Sequence, residues 1–186
     1  SRFIFRWRTK LVYRNANKMS DFIGSWWHWK LNGFFLKQVD FIISVSENCR
    51  SDINSLYPFT RTISSAITIG TYNYSYIQRK IRDTLNPNFL NVGSLVPEKN
   101  QIGLIEILNL FYKKYSKGYL HLVGDGKLRE NLQDKATLLG IENRLVFMGY
   151  QKNVIELMTE ADIMLMPSKI EGLPGVILEA MSCGLP

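Results

Sequence analysis

The sequence predicts an α/β fold: a doubly wound parallel sheet, preceded by part of a second α/β domain. Three observations carry this. From Asn88 onward, short apolar strands alternate with amphipathic helical segments at the spacing of parallel-sheet units. Three loops, 93–100, 124–127 and 167–175, each follow a predicted strand and hold glycine or proline. Asp40–Ser46 (DFIISVS) is a nearly continuous apolar run ahead of that series, the pattern of a buried strand.

Taken in order, residues 1–38 are basic and aromatic, with Trp26, Trp27, His28, Trp29, Phe34 and Phe35. A helix is expected from about Ser20–Asp21, although Gly24 and Asn32-Gly33 weaken the pattern. The strand at 40–46 leads into a helix over Glu47–Leu56, stopped before Pro58. Thr62–Ile69 reads as a further strand, and the Tyr-, Asn-, Arg- and Lys-rich stretch after it as a linker. A strand at 89–92 and a helix at 99–115 follow, the helix with apolar residues at 102, 105, 108 and 111–112 and lysines closing its end. Then come a strand (119–123), a helix (127–139), a strand (144–148), a short helix (154–159), a strand (162–166) and a helix after Pro174. The elements fall into three parts: 1–75 with its own strands and helix, 76–88 as a linker, and 89–186 as a second domain. Ligands of such sheets bind beyond the carboxyl ends of the strands, where the three loops belong.

With 186 residues and 46% hydrophobic composition, the chain is long enough to bury a core. It opens on Ser1 and stops at Pro186 inside a motif, and is read as a fragment of a longer protein. No apolar run approaches the ~18–20 residues of a membrane span. Cys49 and Cys183 have no metal-ligand spacing, and reduced thiols in a cytosolic protein are the simplest reading. The net charge of +7 is concentrated in residues 1–50, where nine Lys/Arg face Asp21, Asp40 and Glu47. That points to an acidic partner for the first part alone.

The most informative segment is Glu171-Gly-Leu-Pro-Gly-Val-Ile-Leu-Glu179, continuing to Pro186. Pro174 suits the first helical position, because it has no N–H to leave unpaired. Glu171 would lie just outside the helix, and Glu179 one turn inside on the face of Gly175. The open amides of the first turn favour a negative group at the same place. One site would thus offer amides to phosphate and carboxylates to hydroxyls. The plainer reading stays open: Glu179 as a helix-surface residue and Glu171 as a loop charge near a helix start. Gly93 permits a tight turn after the strand at 89–92, and Lys99 falls at or near a helix N-terminus, facing a diphosphate or simply solvated. For Gly124-Asp125-Gly126 the preferred reading is a turn with Asp125 capping the next helix. Met148-Gly149 ends a strand where backbone would border a planar base, although a glycine-containing turn would look the same. His121 reads as a hydrogen-bonded structural residue, and His28 has no evident role.

The run Val92-Gly93…Lys99-Asn100, Leu122–Gly126, Val146–Gly149, Ala161-Asp162…Pro167-Ser168 and Glu171-Gly-Leu-Pro…Glu179-Ala-Met…Gly184-Leu-Pro186 resembles the nucleotide-sugar-binding domain of family-four retaining glycosyltransferases. These have the two-domain GT-B architecture, with a Rossmann-like donor domain. The similarity covers residues 88–186; Val39–Ser46 resembles, more loosely, the end of the acceptor domain.

The resemblance implies a glycosyltransferase moving sugar from a nucleotide-sugar donor to a glycan or lipid-linked acceptor, with retention at the anomeric carbon. Glu171 and Lys99 would be catalytic: Glu171 holds sugar hydroxyls and Lys99 neutralises the diphosphate. Donor-binding positions would be Gly93, Ser94, Lys99, Met148, Gly149, Glu171, Gly172, Leu173, Gly175 and Glu179, the last accepting from the ribose diol. No metal or cofactor is implied, since the nucleotide-sugar is a substrate. Ser94 stands where the family commonly has arginine, and a hydroxyl brings no charge. Either Lys99 and the helix dipole then suffice, or Lys169 compensates, or the enzyme is weak or divergent; the alternative is a non-catalytic nucleotide- or glycan-binding protein that keeps the fold. The fragment alone is expected to be inactive, because acceptor-domain strands and final helices are missing.

Two readings compete for residues 1–38. Interleaved Lys/Arg and aromatic residues suit peripheral contact with an anionic membrane at its cytoplasmic face. Packing of Trp26, Trp27 and Trp29 inside the acceptor domain, with solvated charges, is the favoured one. Single-stranded nucleic acid would suit the same composition, but no motif supports it and none is expected as a partner.

Overall fold

The structure, a computed structural model, describes residues 9–68, 70 and 86–186. The chain divides into two compact units, Ser1–Gly70 with Ile170–Pro174, and Thr71–Lys169 with Gly175–Pro186. The linker read over 76–88 lies outside the described residues except for its last three positions.

The first unit holds a parallel sheet of β1 (Val12–Asn15), β2 (Phe41–Ser44) and β3 (Ser64–Ala66), in that order. Helix α1 (Trp26–Leu36) connects β1 to β2; α2 (Glu47–Leu56) and a 3-10 turn (Pro58–Ile63) connect β2 to β3. Ile42, Ile53, Leu36 and Tyr57 form the core between sheet and helices. Asn15 is buried with its amide satisfied: Nδ2 donates to Ser44 Oγ (3.2 Å) and to the Cys49 carbonyl (2.9 Å). Helix α2 has the bounds read from sequence, and Ser46 Oγ caps it by accepting from the Cys49 N–H at 3.2 Å.

Three readings are corrected here. Strand β1 escaped the sequence pattern: Val-Tyr-Arg-Asn has no run of apolar residues, and its strand character comes from edge pairing with β2. Ser20-Asp21 starts no helix. They lie in a 3-10 turn (Met19–Phe22) interrupted at Ile23-Gly24, and the helix begins at Trp26, capped by Ser25 Oγ. Among the described residues Trp26 and Trp27 are exposed and do not pack into the core of the first unit. Residues Trp29, Gly33 and Leu36, spaced one turn apart, form the inner face of α1, which turns Trp26 and Trp27 outward. Trp29 packs on the next connection, stacked on Tyr57 with ring centroids 5.7 Å apart and its Nε1–H donating to the Leu56 carbonyl (3.2 Å).

The second unit is the Rossmann-like doubly wound sheet. Strands β4 (Asn88–Val92), β5 (Tyr119–Val123), β6 (Leu145–Gly149) and β7 (Ile163–Met164) lie parallel in the order β6-β5-β4-β7. Period-two alternation divides their side chains. Phe89, Leu120, Leu122 and Leu145 meet α3 (Gln101–Tyr115) and α4 (Arg129–Leu138), through Leu104, Ile105, Leu108, Leu132 and Ala136. Leu90 and Val123 meet α5 (Val154–Glu160) and α6 (Gly175–Ser182), through Met158, Ala180 and Cys183. The winding reverses between β4 and β7, so a crevice is expected at their carboxyl ends. At the other end, Asp162 Oδ2 accepts from the Asn88 N–H at 2.8 Å and fixes the entry to β7 against β4. Among the described residues no helix is long and apolar enough to cross a membrane.

Candidate functional site at the carboxyl rim of the second sheet

Three glycines line up where β4, β5 and β6 end. The Gly93 N–H donates to the Val123 carbonyl (2.9 Å), and the Gly124 N–H to the Gly149 carbonyl (2.8 Å). Gly93, Gly124 and Gly149 have φ of 159°, 125° and 65°. At Gly124 a side chain is doubly excluded, since a Cβ would fall on the Gly93 carbonyl. The rim is therefore bare backbone, the surface a phosphate or planar base can approach closely.

Lys99 ends a 3-10 turn (Pro97–Lys99), two residues ahead of α3 and not at its first turn, because Asn100 interposes a left-handed residue at φ 53°. Its alkyl stem lies along Gly93: a Cβ built there would stand 3.7 Å from Lys99 Cδ and Cε. Ser94 is exposed, and its carbonyl accepts from Gln101 Nε2 (3.1 Å). Asp125 does not cap a helix. Its Oδ1 accepts from the Gly126 N–H (2.8 Å) and its Oδ2 faces Arg129 Nη1 (3.5 Å). The turn through Gly126-Lys127-Leu128 carries the helix start to Arg129, beyond the reach of Asp125 as a cap.

Helix α6 begins at Gly175, so Pro174 precedes the first helical residue and does not occupy it. Glu179 is half-buried one turn inside, beside the buried Ala180. A Cβ on Gly175 would meet nothing within 4 Å, which leaves open space over the start of the helix. Glu171, Gly172 and Leu173 group with the first unit. There a Cβ on Gly172 would fall on the Ala16 carbonyl, so close backbone approach already requires glycine. The second unit thus brings together Gly93, Ser94 and Lys99, and links them through Gly124 to Gly149 and Met148. Glu171 to Leu173 group with the first unit, where Gly172 lies against Ala16.

Sequence reasoning missed the residues that hold this rim in place. Asn91 Nδ2 donates to the Leu165 carbonyl (2.7 Å), Asn100 Nδ2 to the Pro167 carbonyl (3.3 Å), and the Lys169 N–H to the Glu98 carbonyl (2.8 Å). Together they stitch the loop after β4 to the loop after β7. The available signal was an asparagine just before a helix, the residue type that tolerates the left-handed region. His121 pairs in register with Leu90 and Val146 and lines a cavity of about 210 Å³ with Asn88, Tyr119 and Glu160, mostly at the strand starts and away from the glycine rim.

Residues 76–186 match the family of glycosyl transferases group 1. An uncharacterized glycosyltransferase of Methanocaldococcus jannaschii is 27% identical over 163 residues, covering 82% of this chain and 40% of its own length. The UDP-Gal:alpha-D-GlcNAc-diphosphoundecaprenol alpha-1,3-galactosyltransferase of Escherichia coli is 32% identical over 101 residues, 53% of this chain and 26% of that protein. The crystal structure of HepE of Anabaena in complex with UDP-glucose superposes with a TM-score of 0.79, covering 100% of this chain and 54% of that one at 24% identity, a likeness of fold. The chain spans two fifths or less of the length of these two curated relatives.

Proposed function

The chain belongs to the glycosyl transferases group 1 family, and from that premise we propose that it forms the donor side of a retaining, family-four type glycosyltransferase. The whole protein would transfer a sugar from a nucleotide-sugar to a glycan or lipid-linked acceptor. The observation that carries this is Lys99 lying along Gly93 at the end of β4, where the winding of the sheet reverses. The names of two relatives point the same way: one acts with UDP-Gal on a diphosphoundecaprenol-linked sugar, and one was solved with UDP-glucose.

In this reading the bond from the anomeric carbon to the diphosphate breaks. The acceptor hydroxyl attacks from the same face, and its proton passes to the departing phosphate oxygen. Lys99 stabilises the charge that develops on that oxygen. Glu179 accepts from the ribose diol and Glu171 from hydroxyls of the sugar. The backbone at Met148-Gly149 borders the base, and the amides of Gly172, Leu173 and Gly175 meet sugar or phosphate. No metal takes part. Both cysteines are buried and neither forms a disulfide among the described residues, which suits a cytoplasmic site of reaction.

The test is transfer by the protein at its natural length. A panel of nucleotide-sugars is offered with glycan and lipid-linked acceptors, and the anomeric configuration of the product is read by NMR. Product with the donor's configuration is expected. Tight donor binding with no transfer to any acceptor would favour a binding protein, the outcome to which the uncharged Ser94 would contribute.

A further inference from the structure

Helix α1 in the first unit carries its apolar residues on the wrong side for a solvated helix. Its inner face is complete with Trp29, Gly33 and Leu36. Tyr57 presses on Gly33, where a Cβ would come within 3.0 Å of the ring, and the Tyr57 hydroxyl donates to the Trp29 carbonyl (2.8 Å). The opposite face should be polar. Instead it presents Trp27 (71% exposed), Phe34 (61%), Phe35 and Leu31, with Trp26 at its edge, all more than half exposed. Such a contiguous apolar surface marks an interaction site.

The charges beside it narrow the partner. From Phe22 to Val39 the only formal charges are Lys30 and Lys37, with no carboxylate. The Lys30 ammonium sits 3.8 Å from the Trp26 ring centroid and that of Lys37 lies 5.8 Å from the Phe59 ring, so both cations stay at the edge of the aromatic face. Tryptophan and phenylalanine flanked by lysine are the side chains that settle at the boundary between headgroups and acyl chains, with the cations against anionic phosphate. A protein partner buried on this face would leave two lysines to be matched by carboxylates, whereas an anionic bilayer supplies a continuous field of phosphates.

We propose that the outward face of α1 is a peripheral membrane-docking surface for anionic phospholipid bilayers, with Trp27, Leu31, Phe34 and Phe35 entering the interface and Lys30 and Lys37 meeting phosphates. The inference stands on the first unit alone and does not depend on the reaction proposed for the second.

The experiment is vesicle flotation of the protein at its natural length, with phosphatidylcholine vesicles and with vesicles containing about one third phosphatidylglycerol. Binding to the anionic vesicles, weakened by added salt and accompanied by a blue shift of tryptophan fluorescence, is expected. Trp27→Ala with Phe34→Ala should lower partitioning about tenfold or more. Lys30→Gln with Lys37→Gln should lower it about tenfold on anionic vesicles only. These side chains lie outside the core, so circular dichroism and nucleotide-sugar binding should match the parent. Four results overturn the proposal: no flotation with anionic vesicles; flotation unchanged by both double variants; a concentration-dependent dimer abolished by Trp27→Ala with Phe34→Ala; or Trp27 and Phe34 protected from solvent in the lipid-free protein by the rest of its own chain.

Discussion

The carbonyl oxygen of Gly93 occupies the place that a β-carbon on Gly124 would need. The two glycines end neighbouring strands, and Gly124 holds φ at 125°, a region L side chains rarely adopt. Gly124→Ala should therefore cost about 3 kcal/mol or more, combining backbone strain with displacement of the β4 loop. Gly140 is the internal control. Its φ is 67°, but a Cβ there would meet nothing within 4 Å. Gly140→Ala should cost only the left-handed penalty of about 1–2 kcal/mol. Urea unfolding of both variants checks the difference; equal costs would mean that the approach of Gly93 carries no energetic weight.

Asn100 links the same loop to the one after β7. It combines a left-handed backbone with a donor to the Pro167 carbonyl. Asn100→Gly keeps the backbone and loses the hydrogen bond, so about 0.5–1.5 kcal/mol is expected. Asn100→Ala loses both, for a total of about 1.5–3.5 kcal/mol. The ordering of the pair, measured by denaturant midpoint, is the test. An alanine variant no worse than glycine would show that the left-handed backbone is not what asparagine supplies.

If the donor reading holds, the two charges of the second unit should separate kinetically. Lys99→Ala removes a contact to charge that develops in the transition state, so kcat/KM should fall by about 2–4 kcal/mol with kcat carrying much of the loss. Glu179→Ala removes acceptors for a diol present in ground state and transition state alike. Donor Kd and KM should rise by about 1.5–3 kcal/mol with kcat nearly unchanged. Steady-state kinetics with donor titration distinguishes these. A variant at Lys99 with full turnover, or at Glu179 with parental donor affinity, removes that residue from its role.

Much of the second unit was legible because its strands and helices announce themselves locally. The Tyr119–Val123 strand was read with its observed bounds, and helix bounds elsewhere moved by no more than two residues. What sequence could not reveal were features made by distant partners. Strand β1 exists by pairing with Phe41–Ser44, and Gly172 is fixed by Ala16, far away in the chain. Orientation was equally invisible at α1: tryptophans at 26, 27 and 29 look alike in a row, and only the packing of Tyr57 on Gly33 decides which one turns inward. At the rim, glycines and Lys99 were legible as residue types that suit phosphate. The asparagines holding the loops were not, since a buried side-chain amide has no period to betray it.

Tyr112 closes the core between α3 and the sheet, yet its hydroxyl is buried with no hydrogen-bond partner among the described residues. Burial pushes its pKa from 10.0 up to about 12, and the guanidinium of Arg144 only partly opposes this. The folded chain therefore keeps the phenol proton over a range where the unfolded chain releases it. Ionisation favours the unfolded state from about pH 10 upward, so stability is full below pH 10 and declines as pH rises toward 12. This single group should account for about 1–2 kcal/mol across that window. Tyr112→Phe removes the titration and the unsatisfied hydroxyl together. At pH 7 the variant should match the parent within about 1 kcal/mol, or exceed it, because no hydrogen bond is lost. Between pH 10 and 12 its unfolding free energy should fall less steeply than the parent's, and taking the difference between the two proteins cancels the titration of lysines common to both. Parallel urea-derived stability curves over that range would show that the phenol ionises as readily in the folded chain as in the unfolded one.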